Sequence, residues 1–145
     1  MKKWIVIDLE GTLTDNRHRS QLANAKQWGE YTAAFKDDAI YEPVAEIFRR
    51  WQDSGGYVTI CTGRSEATYS ETWQWLVDRR LTPDGLLMRP ARSFEDDGEI
   101  KKLLMTAAWG SEDEVKANVC CVFDDSQFVV DLLRQWGLPV FQVVL

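Results

Sequence analysis

The sequence predicts an open, doubly wound α/β sheet with parallel strands and helices on both faces. Short apolar runs alternate along it with longer amphipathic stretches. Those runs are continuous and partly β-branched rather than alternating, as strands covered on both faces tend to be. A length of 145 residues suits one domain with one hydrophobic core, spanning 1–145.

In chain order, the strands are expected at Trp4 to Leu9, Tyr57 to Cys61, Leu86 to Met88, Val119 to Phe123 and Pro139 to Val144. The helix from Pro43 to Trp51 carries a stripe of Val44, Ile47, Phe48 and Trp51. Pro43 suits its first turn and Gly55-Gly56 closes it. From Ser65 to Leu81 the spacing places Tyr69, Trp73, Leu76 and Val77 on the inward face. The stretch from Ser126 to Trp136 carries Val129, Leu132 and Leu133 and stops at Gly137, before Pro139. Asn16 to Tyr41 breaks the alternation. It reads as a small insertion of one or two short helices around Trp28 and Phe35, in a place where long insertions tend to be functional.

Hydrophobic residues at 45% and charged residues at 28% argue against disorder, collagen and coiled coil. No run approaches the roughly 20 apolar residues of a membrane span. The apolar run after Lys2-Lys3 ends at Asp8, short of the about 7–15 residues of a signal h-region, so a cytoplasmic location is expected. Seventeen basic against 23 acidic residues give a net charge of −6. A general nucleic-acid coater is thereby excluded, and any nucleic acid must be met at a locally positive site. Cys61, Cys120 and Cys121 have neither disulfide nor zinc spacing and read as small buried hydrophobes.

The chemistry gathers at strand ends. The first strand runs into Asp8-Leu9-Glu10-Gly11-Thr12. Alternation puts Asp8 and Glu10 on one face with Leu9 on the other, and Gly11 lets the chain turn out. Carboxylates at the carboxyl end of a parallel strand lie where open α/β sheets bind ligands. Their repulsion calls for a cation such as magnesium, or a shared proton; taken alone, the pair also reads as two solvated acids. After the second strand, Thr62-Gly63-Arg64-Ser65 offers a hydroxyl, a free turn and a guanidinium before a helix, the makings of a phosphate site. Asp124-Asp125-Ser126 follows the fourth strand; these residues also suit helix caps. Asp96 to Lys102 supplies a lysine at a helix start, which in isolation reads as a solvated charge.

The order Asp-x-Glu-Gly-Thr, Thr-Gly-Arg, Lys, Asp-Asp resembles the four motifs of the haloacid dehalogenase (HAD) superfamily of phosphotransferases over almost the whole chain. The resemblance implies a Rossmann-like core, with Asp8 as the nucleophile that becomes an aspartyl-phosphate and Glu10 as general acid/base. It further implies Mg2+ held by Asp8, Asp125 and the Glu10 carbonyl, with Asp124 orienting the site from behind. Thr62 and Lys101 would hold the phosphoryl oxygens, Lys102 being the rival for Lys101. Glu10 departs from the usual Asp, although branches of the superfamily such as enolase-phosphatase carry Glu there. There is no room for a large cap domain; the segment 16–41 is the only candidate for a minimal cap, which suits an open site and a macromolecular substrate.

Asp15 to Arg19, then Trp28, Tyr31, Phe35 and Asp38, Leu86 to Pro90, and Asp124 to Asp131 look like the 3′-phosphatase domains of bacteriophage-type polynucleotide kinases and their stand-alone relatives. This likeness implies a polynucleotide 3′-phosphatase of phage or bacterial origin serving nucleic-acid end repair. A separate kinase or ligase would be its partner. No P-loop sequence is present, which excludes kinase chemistry of that type in this chain. Gly63, Arg64, Arg17, His18 and Arg89 are the substrate-binding candidates. Arg19 and Arg92 are read as ordinary surface residues that could add positive charge. His18 reads equally as structural. Trp4, Trp51, Trp73 and Trp136 read as packing, leaving Trp28 and Tyr31 for base stacking. The competing readings are a phosphatase for nucleotides or other small phosphate esters, and a non-catalytic phosphate-binding module that has kept the fold.

Overall fold

The computed structural model describes residues 1–145. Its centre is a five-stranded sheet, all parallel, built from β1 (Trp4–Ile7), β4 (Tyr57–Ser65), β5 (Gly85–Arg89), β6 (Val119–Asp124) and β7 (Val140–Gln142). The order across the sheet is β5-β4-β1-β6-β7. The chain thus builds outward from β1 on one side and then crosses to the other. β1 marks the topological switch point, and the crevice at its carboxyl end is the natural ligand site of such a sheet.

Side-chain alternation along β1 sorts the core into two layers. Ile5, Ile7 and Leu9 join Val44, Ala45 and Phe48 of α3 (Glu42–Asp53) and Trp75 and Leu76 of α4 (Tyr69–Asp78). Val6 points the other way, to Met105 of α5 (Asp97–Trp109), Val115 of α6 (Glu112–Asn118) and Val129, Val130 and Leu133 of α7 (Gln127–Trp136). Helices therefore cover both faces, as expected. Pro43 lies in the first turn of α3, and the Ser126 hydroxyl caps α7, which stops at a left-handed Gly137 with φ 106°.

The inward stripe of α4 differs from the expected one. Thr72, Trp75 and Leu76 are buried, while Tyr69 and Val77 are exposed and Trp73 is half-buried, stacked on Tyr69 at 6.4 Å. The two stripes lie side by side on the helix and share Leu76. Polar partners decide between them: Trp75 Nε1 donates to the Lys36 carbonyl, and Thr72 Oγ1 accepts from Arg64.

The insertion is more structured than its sequence suggests. α1 (Ser20–Asn24) and α2 (Trp28–Ala33) are joined by 3-10 turns at Arg17–Arg19 and Ala34–Asp37. The whole is closed at its base by an antiparallel ribbon of β2 (Thr14–Asp15) and β3 (Ala39–Ile40). Asp38, buried beneath the ribbon, accepts from Thr14, from His18 and twice from Arg19. Arg19 is 1% exposed, not the surface residue its type suggests. Asp38 gives it a bidentate partner and Tyr31 a ring at 4.1 Å, which together offset its desolvation. No helix of the protein is long and apolar enough to cross a membrane.

Candidate active site

The carboxyl ends of β1, β4 and β6 open into a cleft of about 710 Å³. Asp8 is fixed there because its amide continues the sheet, donating to the Phe123 carbonyl at 2.9 Å. Beyond it the chain turns tightly: the amides of Thr12, Leu13 and Thr14 all donate to the Leu9 carbonyl. Gly11 makes the turn possible with φ 78°, and a Cβ at that position would run into the Asp125 carboxylate.

Lys101, in the second turn of α5, reaches the same point from below. Its ammonium donates to Asp8 Oδ1 at 2.9 Å and to Asp124 Oδ2 at 2.6 Å. Lys102, one residue round the helix, lies 5.4 Å from the Trp136 ring instead, so geometry selects Lys101. Thr12 donates its hydroxyl to Asp8 Oδ2 at 3.0 Å and to Asp125 Oδ1 at 3.2 Å. The second oxygen of Asp124 accepts from the Ser126 amide.

Burial dominates the electrostatics. It raises the Asp8 carboxyl well above the usual range; Lys101 pulls the other way, and Asp124, Asp125 and Glu10 add to the rise. Asp124 is raised by burial too, with Lys101 again opposing. Burial would depress Lys101, but Asp8 and Asp124 outweigh it and hold the ammonium well above an ordinary lysine. Three carboxylates, Asp8, Asp124 and Asp125, thus have oxygens within 4.8 Å of one another, and the one ammonium among them contacts only Asp8 and Asp124. An all-oxygen set with surplus negative charge fits a hard divalent cation such as magnesium.

Glu10 belongs to a second cluster in the same cleft. Arg64 Nε donates to Glu10 Oε1 at 2.6 Å, Thr62 donates its hydroxyl to Oε2 at 3.1 Å, and Arg19 stands 3.9 Å away. Arg64 is 7% exposed, with its guanidinium 3.8 Å from the centre of the Phe35 ring and its Nη1 donating to Thr72. Phe35 and Thr72, which the sequence did not single out for the site, thus hold the arginine that holds Glu10.

The expected substrate-binding residues divide. Gly63, Arg64 and Arg89 line the cleft, whereas Arg17 and His18 lie outside it. Arg17 is paired with Asp15 at 2.6 Å and His18 with Asp38 at 2.7 Å. Arg89 is committed to the protein, donating to the Gly63 and Glu95 carbonyls and to Asp97. It braces the loop after β5, and Gly63 is needed because a Cβ there would meet Asp97. Trp28 and Tyr31 line the cleft, and so does Phe94, a lone loop aromatic with no periodicity to reveal it. A second hollow of about 1050 Å³, between the insertion and α4, holds none of the clustered carboxylates.

Residues 2–144 match the family model of the polynucleotide kinase PNKP phosphatase domain. The chain belongs to that family. It is a HAD-type phosphatase domain. Among solved structures, a chain of the Pnkp1/Rnl/Hen1 complex is 28% identical with a TM-score of 0.80, over 99% of this chain and 46% of that one. A chain of the Pnkp1/Rnl/Hen1 RNA repair complex is 29% identical, TM-score 0.77, over 99% and 43%. This domain therefore spans less than half the length of those two chains. A haloacid dehalogenase-like hydrolase from Streptococcus pneumoniae shares the fold at TM-score 0.69 and 12% identity, covering 97% of this chain and 84% of its own. No curated protein matches the sequence.

Proposed function

We propose that this domain is a magnesium-dependent phosphatase that removes 3′-phosphate from nucleic-acid ends through an aspartyl-phosphate on Asp8. The observation that carries the reading is the buried Asp8 carboxylate, held by Lys101 and Thr12 beside Asp124 and Asp125 at the switch point of the sheet. Membership of a polynucleotide phosphatase family supports the substrate class. The RNA repair assembly that contains the similar chain supports work beside a ligase.

Asp8 and Asp125, with the Glu10 carbonyl, would hold magnesium. When bound, the cation neutralises carboxylate repulsion and draws charge from the phosphoryl oxygens. Asp8 Oδ attacks phosphorus as the bond to the 3′-oxygen breaks. Lys101 and Thr62 receive the phosphoryl oxygens, the Thr62 hydroxyl turning from Glu10 to do so. The arriving phosphate dianion competes with Glu10 for Arg64, and the released Glu10 carboxyl passes a proton to the leaving oxygen. Water then attacks phosphorus of the phospho-aspartate, giving its proton to Glu10, and inorganic phosphate leaves. Asp124 keeps Lys101 in place throughout. Residues 16–41 act as a minimal cap that covers Arg64 and leaves the cleft open to a polymer end.

The test is phosphate release with and without magnesium from a 3′-phosphorylated oligonucleotide, its 5′-phosphorylated counterpart and a 3′-mononucleotide. Release from the 3′ oligonucleotide that needs magnesium and Asp8 is the expected result. Preference for the mononucleotide contradicts the substrate class and leaves the chemistry standing. A folded protein that captures phosphate on Asp8 without release is a binding module, not an enzyme.

A further inference from the structure

We infer that Phe35 and Thr72 are positioning residues for proton transfer: they fix the Arg64 guanidinium, so that an arriving phosphate moves the Glu10 carboxyl and not the arginine. The inference rests on the reading of Glu10 as the general acid of a phosphatase and adds what makes its release productive.

Arg64 is gripped from two elements that lie far apart in the chain. Phe35, in the 3-10 turn Ala34–Asp37 of the insertion, has its ring centre 3.8 Å from the guanidinium carbon. Thr72, on α4, accepts from Nη1 at 3.1 Å. Both grips are themselves held. Phe35 is 8% exposed and Thr72 0%. The Phe35 carbonyl accepts from the amide of the buried Asp38 at 2.9 Å. The next carbonyl, that of Lys36, accepts from Trp75 Nε1 and from Arg79 Nη2.

With one face on a ring and Nη1 on a hydroxyl, the guanidinium keeps its Nε and Nη2 edge for chemistry. Glu10 occupies that edge, with Oε1 2.6 Å from both nitrogens. Nε donates to it, whereas Nη2 is buried and makes no aligned hydrogen bond. Nη2 is therefore the donor left over for a phosphoryl oxygen, and Glu10 is the carboxylate beside it. A clamped arginine does not travel to the phosphate, so the carboxyl has to give way. A loose one would follow the dianion, and the place of the released acid relative to the leaving oxygen would no longer be set.

The experiment sorts esters by their need for a proton. Phosphoenzyme formation is measured by acid quench within the first turnover, at saturating substrate, with folding checked by circular dichroism. A 3′-phosphorylated oligonucleotide and glycerol 2-phosphate have alcohol leaving groups that need the acid, whereas p-nitrophenyl phosphate releases a phenolate that does not. Phe35→Leu keeps an apolar side chain without the ring face, and Thr72→Val keeps the shape without the acceptor. Each is expected to slow formation from the two alkyl esters by about ten- to thirtyfold, and from p-nitrophenyl phosphate by less than about twofold. Phe35→Tyr and Thr72→Ser should restore the alkyl-ester rates. Glu10→Gln should show the same split, and adding Phe35→Leu to it should slow the alkyl esters no further.

Equal slowing of all three esters by Phe35→Leu and Thr72→Val, or no rescue by the conservative variants, overturns the clamp. If Glu10→Gln gives the split and the other two variants do not, the clamp alone falls. If Glu10→Gln slows every ester alike, Glu10 is not the acid and the clamp falls with that reading. A split seen with glycerol 2-phosphate while the oligonucleotide is left uncleaved supports the clamp and contradicts the substrate class.

Discussion

The two sides of the cleft are built to opposite rules. At Asp8 the central charges are buried and paired: Asp8 is 6% exposed, Lys101 3% and Asp124 1%, and one ammonium serves the two carboxylates, with Asp125 at the open edge. Around Trp28 and Phe94, rings stand in solvent on a short helix and a loop. Catalytic groups need positions fixed to a fraction of an ångström, which sheet ends supply. Recognition of a polymer end needs open surface, which loops supply. Arg64 joins the sides, since Phe35 of the insertion stacks on it and Glu10 of the first motif accepts from it.

If that contrast is right, damage should be greatest at the buried side. Asp8→Asn is expected to cut phosphate release by at least about a thousandfold while the protein stays folded, as read by rate and circular dichroism. Lys101→Met should lose activity and also about 3–5 kcal/mol of stability in urea, because it leaves two buried carboxylates without their ammonium. Adding Asp124→Asn to Lys101→Met should return part of the stability and none of the activity. A Lys101→Met protein with wild-type stability would break the comparison.

The junction should respond less. Arg64→Lys keeps the charge but loses the planar fork that reaches Glu10 and Thr72, so kcat should fall by about ten- to a hundredfold. Lys102→Ala, one residue from Lys101, should change activity not at all and stability by about 0.5–1 kcal/mol through its contact with Trp136.

The smallest effect sharpens the contrast in burial. Burial pushes the Cys61 thiol up to about 12, and burial with help from Cys120 does the same to Cys121. Alkylation of the native protein near neutral pH should therefore mark Cys120, which is partly exposed, well before the other two. Early labelling of Cys61, which packs in the core beneath the site, would show that the buried side opens.

Much of this was legible because strand ends announce themselves. The continuous apolar runs before Asp8, Thr62 and Asp124 give the sheet, and acids or hydroxyls at three such ends give the site. What was not legible depended on contacts across the chain. Lys101 and Lys102 are indistinguishable until the phase of α5 is known. Arg19 is an arginine by type, and only Asp38, 19 residues on, reveals that it is buried. The stripe of Tyr69, Trp73 and Val77 was as apolar as the true one, and the deciding partners, Lys36 and Arg64, lie on other elements. Phe94 had no pattern at all, because a loop residue's role is set by what surrounds it.

The most direct test of the central claim is to mix the protein with magnesium and a 3′-phosphorylated oligonucleotide, quench in acid within the first turnover, and digest for mass spectrometry. The account predicts one added phosphoryl group on the peptide that contains Asp8, labile to hydroxylamine and absent from Asp8→Asn. Phosphate release without that mark, or a mark on any other residue, would contradict it.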